Sequence, residues 1–299
     1  MLTNLLLVLL FLNPFSSAYP TDRDFFNVAQ VSSVSAPSRI NPENVGLEAT
    51  AEKYVAIDVI SGKILIQKNV DSVQPIASIT KLMTALVVLD NVKDWDKTVE
   101  MNRVDETYGA FAHIYRGEEV SFEDLWNAAL ISSDNNSIMA MIRALGFSQE
   151  EFVTKMNIKA KELQMYNTSF SDPTGLSVEN QSTALDISRL LYTALNQAKI
   201  QSTVTKNKYT FKVLNNSKTR TVTSTDILLD SFLNRKQYGY QLVGGKTGYI
   251  PEAGYCLTVE IEKEKHSVII TVLNSNNIEN RFQDVKVIAD WVFNNYSWE

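Results

Sequence analysis

The sequence predicts an α+β fold in which an antiparallel β-sheet is flanked by helices. Three observations predict it. Strand-like runs come first, helical runs follow, then more strands and one last helix, an order that suits an antiparallel sheet packed between helices. Short turn signals join neighbouring strand runs, which antiparallel partners permit and parallel ones do not. Apolar residues make up 44% of the 299 residues, enough for a sizeable core.

Met1 to Ala18 reads as a secretory signal peptide. Leu5 to Leu12 is an unbroken apolar run of eight residues, far below the roughly 20 that a spanning helix needs. Asn13 and Pro14 end it, and Ser16-Ser17-Ala18 offers small residues for cleavage. The mature chain is therefore expected to start near Tyr19 and to work outside the cytoplasm. No Lys or Arg precedes the run, so an uncleaved N-terminal anchor is the alternative. Residues 19–48 are polar and without period, which reads as a linker or loose arm. Residues 49–299 form the expected domain.

Tyr54-Val55-Ala56-Ile57-Asp58-Val59 and Lys63-Ile64-Leu65-Ile66 flank Ser61-Gly62, a hairpin signal. Residues 78–89 are helical, with Leu82, Ala85, Leu86 and Leu89 on one face. Helices are also expected at 121–131, 137–145, 149–163 and 183–196. The last of these starts well, with Thr183 able to cap and Asp186 three residues on. Strands follow at 209–214, 219–223, 242–247, 255–260 and 267–273. Asn215-Asn216-Ser217 and Glu262-Lys263-Glu264-Lys265 look like hairpin connections. The final helix spans 279–293, with Phe282, Val285, Ile288, Ala289 and Val292 on one side. The sequence stops soon afterwards, so no C-terminal β-domain and no C-terminal membrane anchor are expected.

A formal net charge of −6 gives no basic stripe to neutralise phosphates, which argues against nucleic acid as a partner. Cys256 is the only cysteine, and its apolar strand context reads as an inert core thiol. His113 and His266, the two histidines, stand far apart and fit no metal-ligand spacing; neither a metal nor another cofactor is expected. No G-x-S-x-G elbow exists for a Ser-His-Asp hydrolase.

Three short stretches carry the chemistry. In Ser78-Ile79-Thr80-Lys81 the helical spacing puts the lysine one turn from the serine, on the same face. Serine needs a nearby base at neutral pH, and a helix start also offers free N–H groups to an oxyanion. Lys81 works as that base only when neutral, which burial and a second cation promote; Lys246 is the candidate cation. Ser133-Asp134-Asn135 falls between two helices. There Ser133 can relay a proton and Asn135 can hydrogen-bond a substrate amide. Lys246-Thr247-Gly248 lies on a strand whose edge can pair with an extended peptide, with Lys246 and Thr247 facing its terminal carboxylate. Taken alone, each stretch has an ordinary structural reading: a cap, a turn, a glycine bulge. S-x-x-K arises about once by chance in such a chain. All three in this order is a far stronger signal.

S-x-x-K, S-D-N and K-T-G together mark penicillin-binding proteins and class A β-lactamases. The chain resembles the low-molecular-mass penicillin-binding proteins, the serine-type D-alanyl-D-alanine carboxypeptidases, over residues 50–295. Asp172-Pro173-Thr174-Gly175-Leu176 and Gly248-Tyr249-Ile250-Pro251-Glu252-Ala253-Gly254-Tyr255 look like that family too. The resemblance implies a mostly helical subdomain beside the sheet. It also implies acylation of Ser78 by the D-Ala-D-Ala end of a peptidoglycan stem peptide, with β-lactams as covalent inhibitors. Ser78, Lys81 and Ser133 would be catalytic, and Asn135, Lys246, Thr247 and Gly248 would bind substrate. The backbone N–H groups of Ser78 and Tyr249 would form the oxyanion hole. Ile250 departs from the family's frequent threonine. Rival readings are a D,D-endopeptidase, a class A β-lactamase and a non-catalytic wall-binding module. The β-lactamase lacks support because no E-x-x-L-N stretch follows the second motif.

Overall fold

The computed structural model describes residues 35–40, 42–44, 46–107 and 112–298. The expected signal peptide and its cleavage point lie outside the described residues. A five-stranded antiparallel sheet holds β1 (Lys53–Asp58), β2 (Ile64–Lys68), β3 (Tyr240–Ile250), β4 (Gly254–Lys263) and β5 (His266–Ser275) in the order β3-β4-β5-β1-β2. Its strands thus come from both ends of the described chain, with six α-helices from between and a seventh after its last strand.

Alternation along each strand makes two cores. Val55, Ile57, Cys256 and Ile269 face the first; Tyr54, Ala56, Leu257 and Ile270 face the second. The first core is shared with α1 (Thr80–Asn91), α2 (Phe122–Ile131), α3 (Asn135–Ala144), α4 (Gln149–Glu162), α5 (Ala184–Leu195) and the short α6 (Ala198–Val204). The second lies under α7 (Asn280–Asn295), which buries Phe282, Val285, Ile288, Ala289 and Val292. Helix and sheet therefore cover each other's apolar faces, as the α+β reading requires.

Local signals hold in detail. The β4–β5 turn is Glu264-Lys265, with φ of 51° and 70°. Positive φ at both central residues is the hairpin geometry that matches strand twist. Thr183 accepts from the Asp186 N–H at 3.1 Å, and Ser121 and Ser148 close capping boxes with Asp124 and Glu151. Each such cap is worth about 1 kcal/mol.

Three expectations need correction. The described part of the 19–48 arm is not loose. Ser38 and Arg39 pair with Ser297 and Tyr296, and Lys63 Nζ donates to the Pro37 carbonyl at 2.7 Å. A stretch held by backbone pairing and one lysine has no side-chain period to read. The helix expected from Ser78 begins at Thr80, after a 3₁₀ turn at Ala77–Ile79. Its cause is Ala77, whose φ of 49° no right-handed helix accommodates. The helix expected from Ser137 starts at Asn135, because Asp134 caps it by accepting from the Ser137 N–H at 2.9 Å. The hairpin expected around Asn215-Asn216-Ser217 is present as the strands Lys208–Lys212 and Thr219–Thr223, packed against α2 outside the main sheet. Sequence reading also missed α6, seven residues long with no side-chain cap.

Candidate active site

Three elements meet at the site: the turn before α1, the turn before α3 and the edge strand β3. Ser78 lies in the 3₁₀ turn, half-buried. Left-handed backbone at a residue with a Cβ costs about 1–3 kcal/mol and persists only when neighbours enforce it. Two glycines let those neighbours close in. A Cβ on Gly175 would stand 2.1 Å from the Ala77 carbonyl oxygen, and one on Gly248 would stand 2.8 Å from that of Ile76. A loop and a strand thus press on the serine turn with backbone alone.

Lys81 is fully buried in the first turns of α1. Its Nζ donates to Ser78 Oγ at 2.9 Å, Asn135 Oδ1 at 2.5 Å and the Thr174 carbonyl at 2.7 Å. That uses all three donors of an ammonium. Burial pulls the group down to about 7, against the pull of the Asp172 and Asp134 carboxylates. A free amine is then present in quantity at neutral pH, and one oxygen within its reach is the Ser78 hydroxyl.

Ser133 has a φ of 63°, which breaks the chain out of α2 and brings its hydroxyl to the cleft. Lys246 Nζ donates to Ser133 Oγ at 3.0 Å and to the Thr247 carbonyl at 3.1 Å. Burial, then the neighbouring Lys81 and Arg281, hold Lys246 well below the usual lysine range, while Asp226 opposes them. Asp134, left without a role by the sequence, fixes this turn: besides capping α3 it accepts from the His113 backbone N–H at 2.8 Å. Asn135 was expected on a loop to meet substrate. It sits in the first turn of α3 with Oδ1 on Lys81, which leaves its amide nitrogen for a ligand.

Along β3, the Thr247 hydroxyl is 2.6 Å from that of Thr225. Gly248 abuts the serine turn. Tyr249 is exposed and stacks on Tyr255, ring centroids 4.3 Å apart. Ile250, the departure noted above, turns into the first core and is buried. Arg281 escaped the sequence reading altogether. It donates to the Gly248 carbonyl at 3.3 Å from the start of α7; no local spacing ties an arginine there to a strand residue 33 positions earlier. The two histidines stay apart, His113 against Asp134 and His266 stacked on Trp298. Burial pushes the Cys256 thiol up to about 11, which keeps it protonated and inert.

The antiparallel sheet between helices, with a serine and a desolvated lysine in contact beside an edge strand, defines a serine-type peptidase. The family model described as D-alanyl-D-alanine carboxypeptidase, peptidase family S11, matches residues 36–277, and the chain belongs to that family. It is 32% identical over 274 residues to D-alanyl-D-alanine endopeptidase of Pseudomonas aeruginosa, spanning 90% of this chain and 86% of that one. It is 32% identical over 253 residues to D-alanyl-D-alanine carboxypeptidase DacF of Bacillus subtilis, spanning 82% of this chain and 63% of that one. Among solved structures, penicillin-binding protein D2 from Listeria monocytogenes in its cefotaxime-bound form matches with a TM-score of 0.71 at 30% identity. That match covers 83% of this chain and 99% of the other.

Proposed function

We propose that this protein removes the terminal D-Ala from peptidoglycan stem peptides through an ester on Ser78, and that β-lactams acylate the same serine. The observation that carries the reading is the fully buried Lys81 with its Nζ 2.9 Å from Ser78 Oγ. Neutral Lys81 takes the Ser78 proton as Oγ attacks the carbonyl of the penultimate D-Ala. The carbonyl oxygen becomes anionic against the backbone N–H groups of Ser78 and Tyr249. Ser133 gives its own proton to the leaving amine and takes up the one Lys81 holds, so the C–N bond breaks, free D-Ala departs and Lys81 is neutral again. Lys81 then deprotonates a water, which hydrolyses the ester and returns the proton to Ser78 Oγ.

Substrate would lie extended along the open edge of β3. The free amide nitrogen of Asn135 meets a backbone carbonyl, and Thr247 with Lys246, whose charged form the bound carboxylate favours, meets the chain end. Peptidoglycan places the work outside the cytoplasm. Among the described residues, no helix is long and apolar enough to cross a membrane. Intact-mass analysis tests the reading: a D-Ala-D-Ala peptide is expected to lose one alanine, and the protein to gain the whole mass of an added β-lactam. Absence of both changes would refute it.

Acylation is expected to fall in acid with a midpoint near 7. The sign follows from Lys81: below about 7 it holds the proton and cannot accept another from Ser78. The rate of labelling by a fluorescent penicillin across pH 5–9 measures this.

A D,D-endopeptidase is the second reading, favoured by the Pseudomonas aeruginosa relative named above. The carboxylate contact separates the two. Amidating the substrate's C-terminus is expected to remove most of the activity. Thr247→Val is expected to slow the free-acid peptide while sparing the residual turnover of the amide. Equal cleavage of acid and amide by the unaltered protein would favour the endopeptidase.

A further inference from the structure

The loop from Asp172 to Ser177 has no part in the chemistry above, yet it touches both partners of the acylation step. Its centre is a single buried carboxylate. Asp172 Oδ1 accepts from the Thr174 N–H at 2.6 Å, the Thr174 hydroxyl at 2.5 Å and the Gly175 N–H at 2.8 Å. Asp172 Oδ2 accepts from the Ser177 N–H at 2.7 Å. Four donors converge on one side chain and set the loop's shape. Helix α1 grips the result, with Thr84 donating to the Pro173 carbonyl at 2.6 Å and Lys81 to that of Thr174. Asn180 ties the base of the loop to Thr80 and to the Asp172 carbonyl. The flanks pair as well, Gln74 and Pro75 with Ser182 and Gln181.

We propose that Asp172 is a positioning residue for acylation, holding Lys81 through the Thr174 carbonyl and pressing Gly175 onto Ala77 so that the strained serine turn stays closed. This rests on the Ser78–Lys81 reading of the site and adds a group that reading does not use. Two effects follow from the geometry. Without the carboxylate, the loop loses the centre that keeps Gly175 against the Ala77 carbonyl, and the left-handed turn can relax away from Lys81. Asp172 also favours the charged form of Lys81, as does a carbonyl accepting from it. The other charged groups facing Lys81 are Asp134 from the turn before α3 and Lys246 from β3. His113 touches Asp134, and Arg281 and Asp226 act on Lys246. None of these is among the donors on the Asp172 carboxylate, so neutralising it leaves their charges in place. Removing its charge therefore makes Lys81 give up its proton more readily, and the acid limb of acylation shifts to lower pH.

The test is the pH profile of fluorescent-penicillin labelling for the full protein and Asp172→Asn. The variant is expected to label more slowly at every pH. The midpoint of its acid limb is expected to move down by about half a pH unit, roughly a threefold gain in relative rate in acid. Asp172→Glu, which keeps the charge, is expected to label slowly with the midpoint in place. A role in folding alone would slow labelling evenly, so an unmoved midpoint in Asp172→Asn overturns the proposal. Should Asp172→Asn fail to fold, Gly175→Ala tests the other contact. Its Cβ must displace the loop by about 1 Å, which costs on the order of 10²-fold in rate; labelling at the unaltered rate would overturn the proposal. If the unaltered protein takes no label, the Ser78–Lys81 reading fails instead.

Discussion

Ser78→Ala is expected to form no covalent adduct with any β-lactam and to cleave D-Ala-D-Ala peptides about 10⁶-fold more slowly, the scale of loss when a serine nucleophile is deleted. Among the described residues, Ser78 has a buried amine at 2.9 Å three residues on in its own turn, with that amine's charge suppressed. Ser133 is the nearest rival, but its partner Lys246 sits on a strand, 113 positions away, and not in the same turn. The variant should also fold. Ser78 Oγ takes part in a single side-chain contact, and Lys81 keeps Asn135 and the Thr174 carbonyl when it is gone. Mass spectrometry of penicillin-treated protein, beside a thermal melt, measures both. An adduct on the folded variant would place the nucleophile elsewhere.

Lys81→Ala is expected to slow acylation by about 10²–10⁴, the usual worth of a positioned base. Lys81→Arg should do nearly as badly, although it restores a cation, because a guanidinium never gives up its proton in a protein. The pair of variants separates two roles. If Lys81 served only as a positive charge, arginine would rescue and the acid limb near 7 would vanish. If it is the base, arginine fails and alanine loses the limb together with the rate. Both variants remove the amine from a fully buried site, so each needs its own melt before its rate is compared. An active Lys81→Arg enzyme would retire the proton-transfer mechanism.

Much of this architecture is written in short spacings. The three-residue step from Ser78 to Lys81 survives a change of helix type, since a 3₁₀ turn and an α-turn both bring i and i+3 to one side. The Thr183 cap, the Ser61-Gly62 turn and the alternation along β3, β4 and β5 are equally local, and each is present where the pattern put it. Where the reading slipped, one residue overrode its neighbours: the left-handed Ala77 delayed α1, and the Asp134 cap advanced α3.

What the sequence determined by itself is therefore which side chains are candidates for the chemistry and the elements that carry them. Side-chain type, turn preference and period are properties of a few adjacent residues, and the chain displays them directly. Only the tertiary structure decided what those groups are. Lys81 is desolvated and its pKa lowered because neighbours such as Asn135, 54 positions away, and the Thr174 carbonyl, 93 positions away, help close it off from water. Lys246 reaches Ser133 across 113 positions, and Arg281 braces the Gly248 carbonyl from the far face of the sheet. Desolvation and charge–charge coupling sum over neighbours in space, and no window along the chain contains that sum.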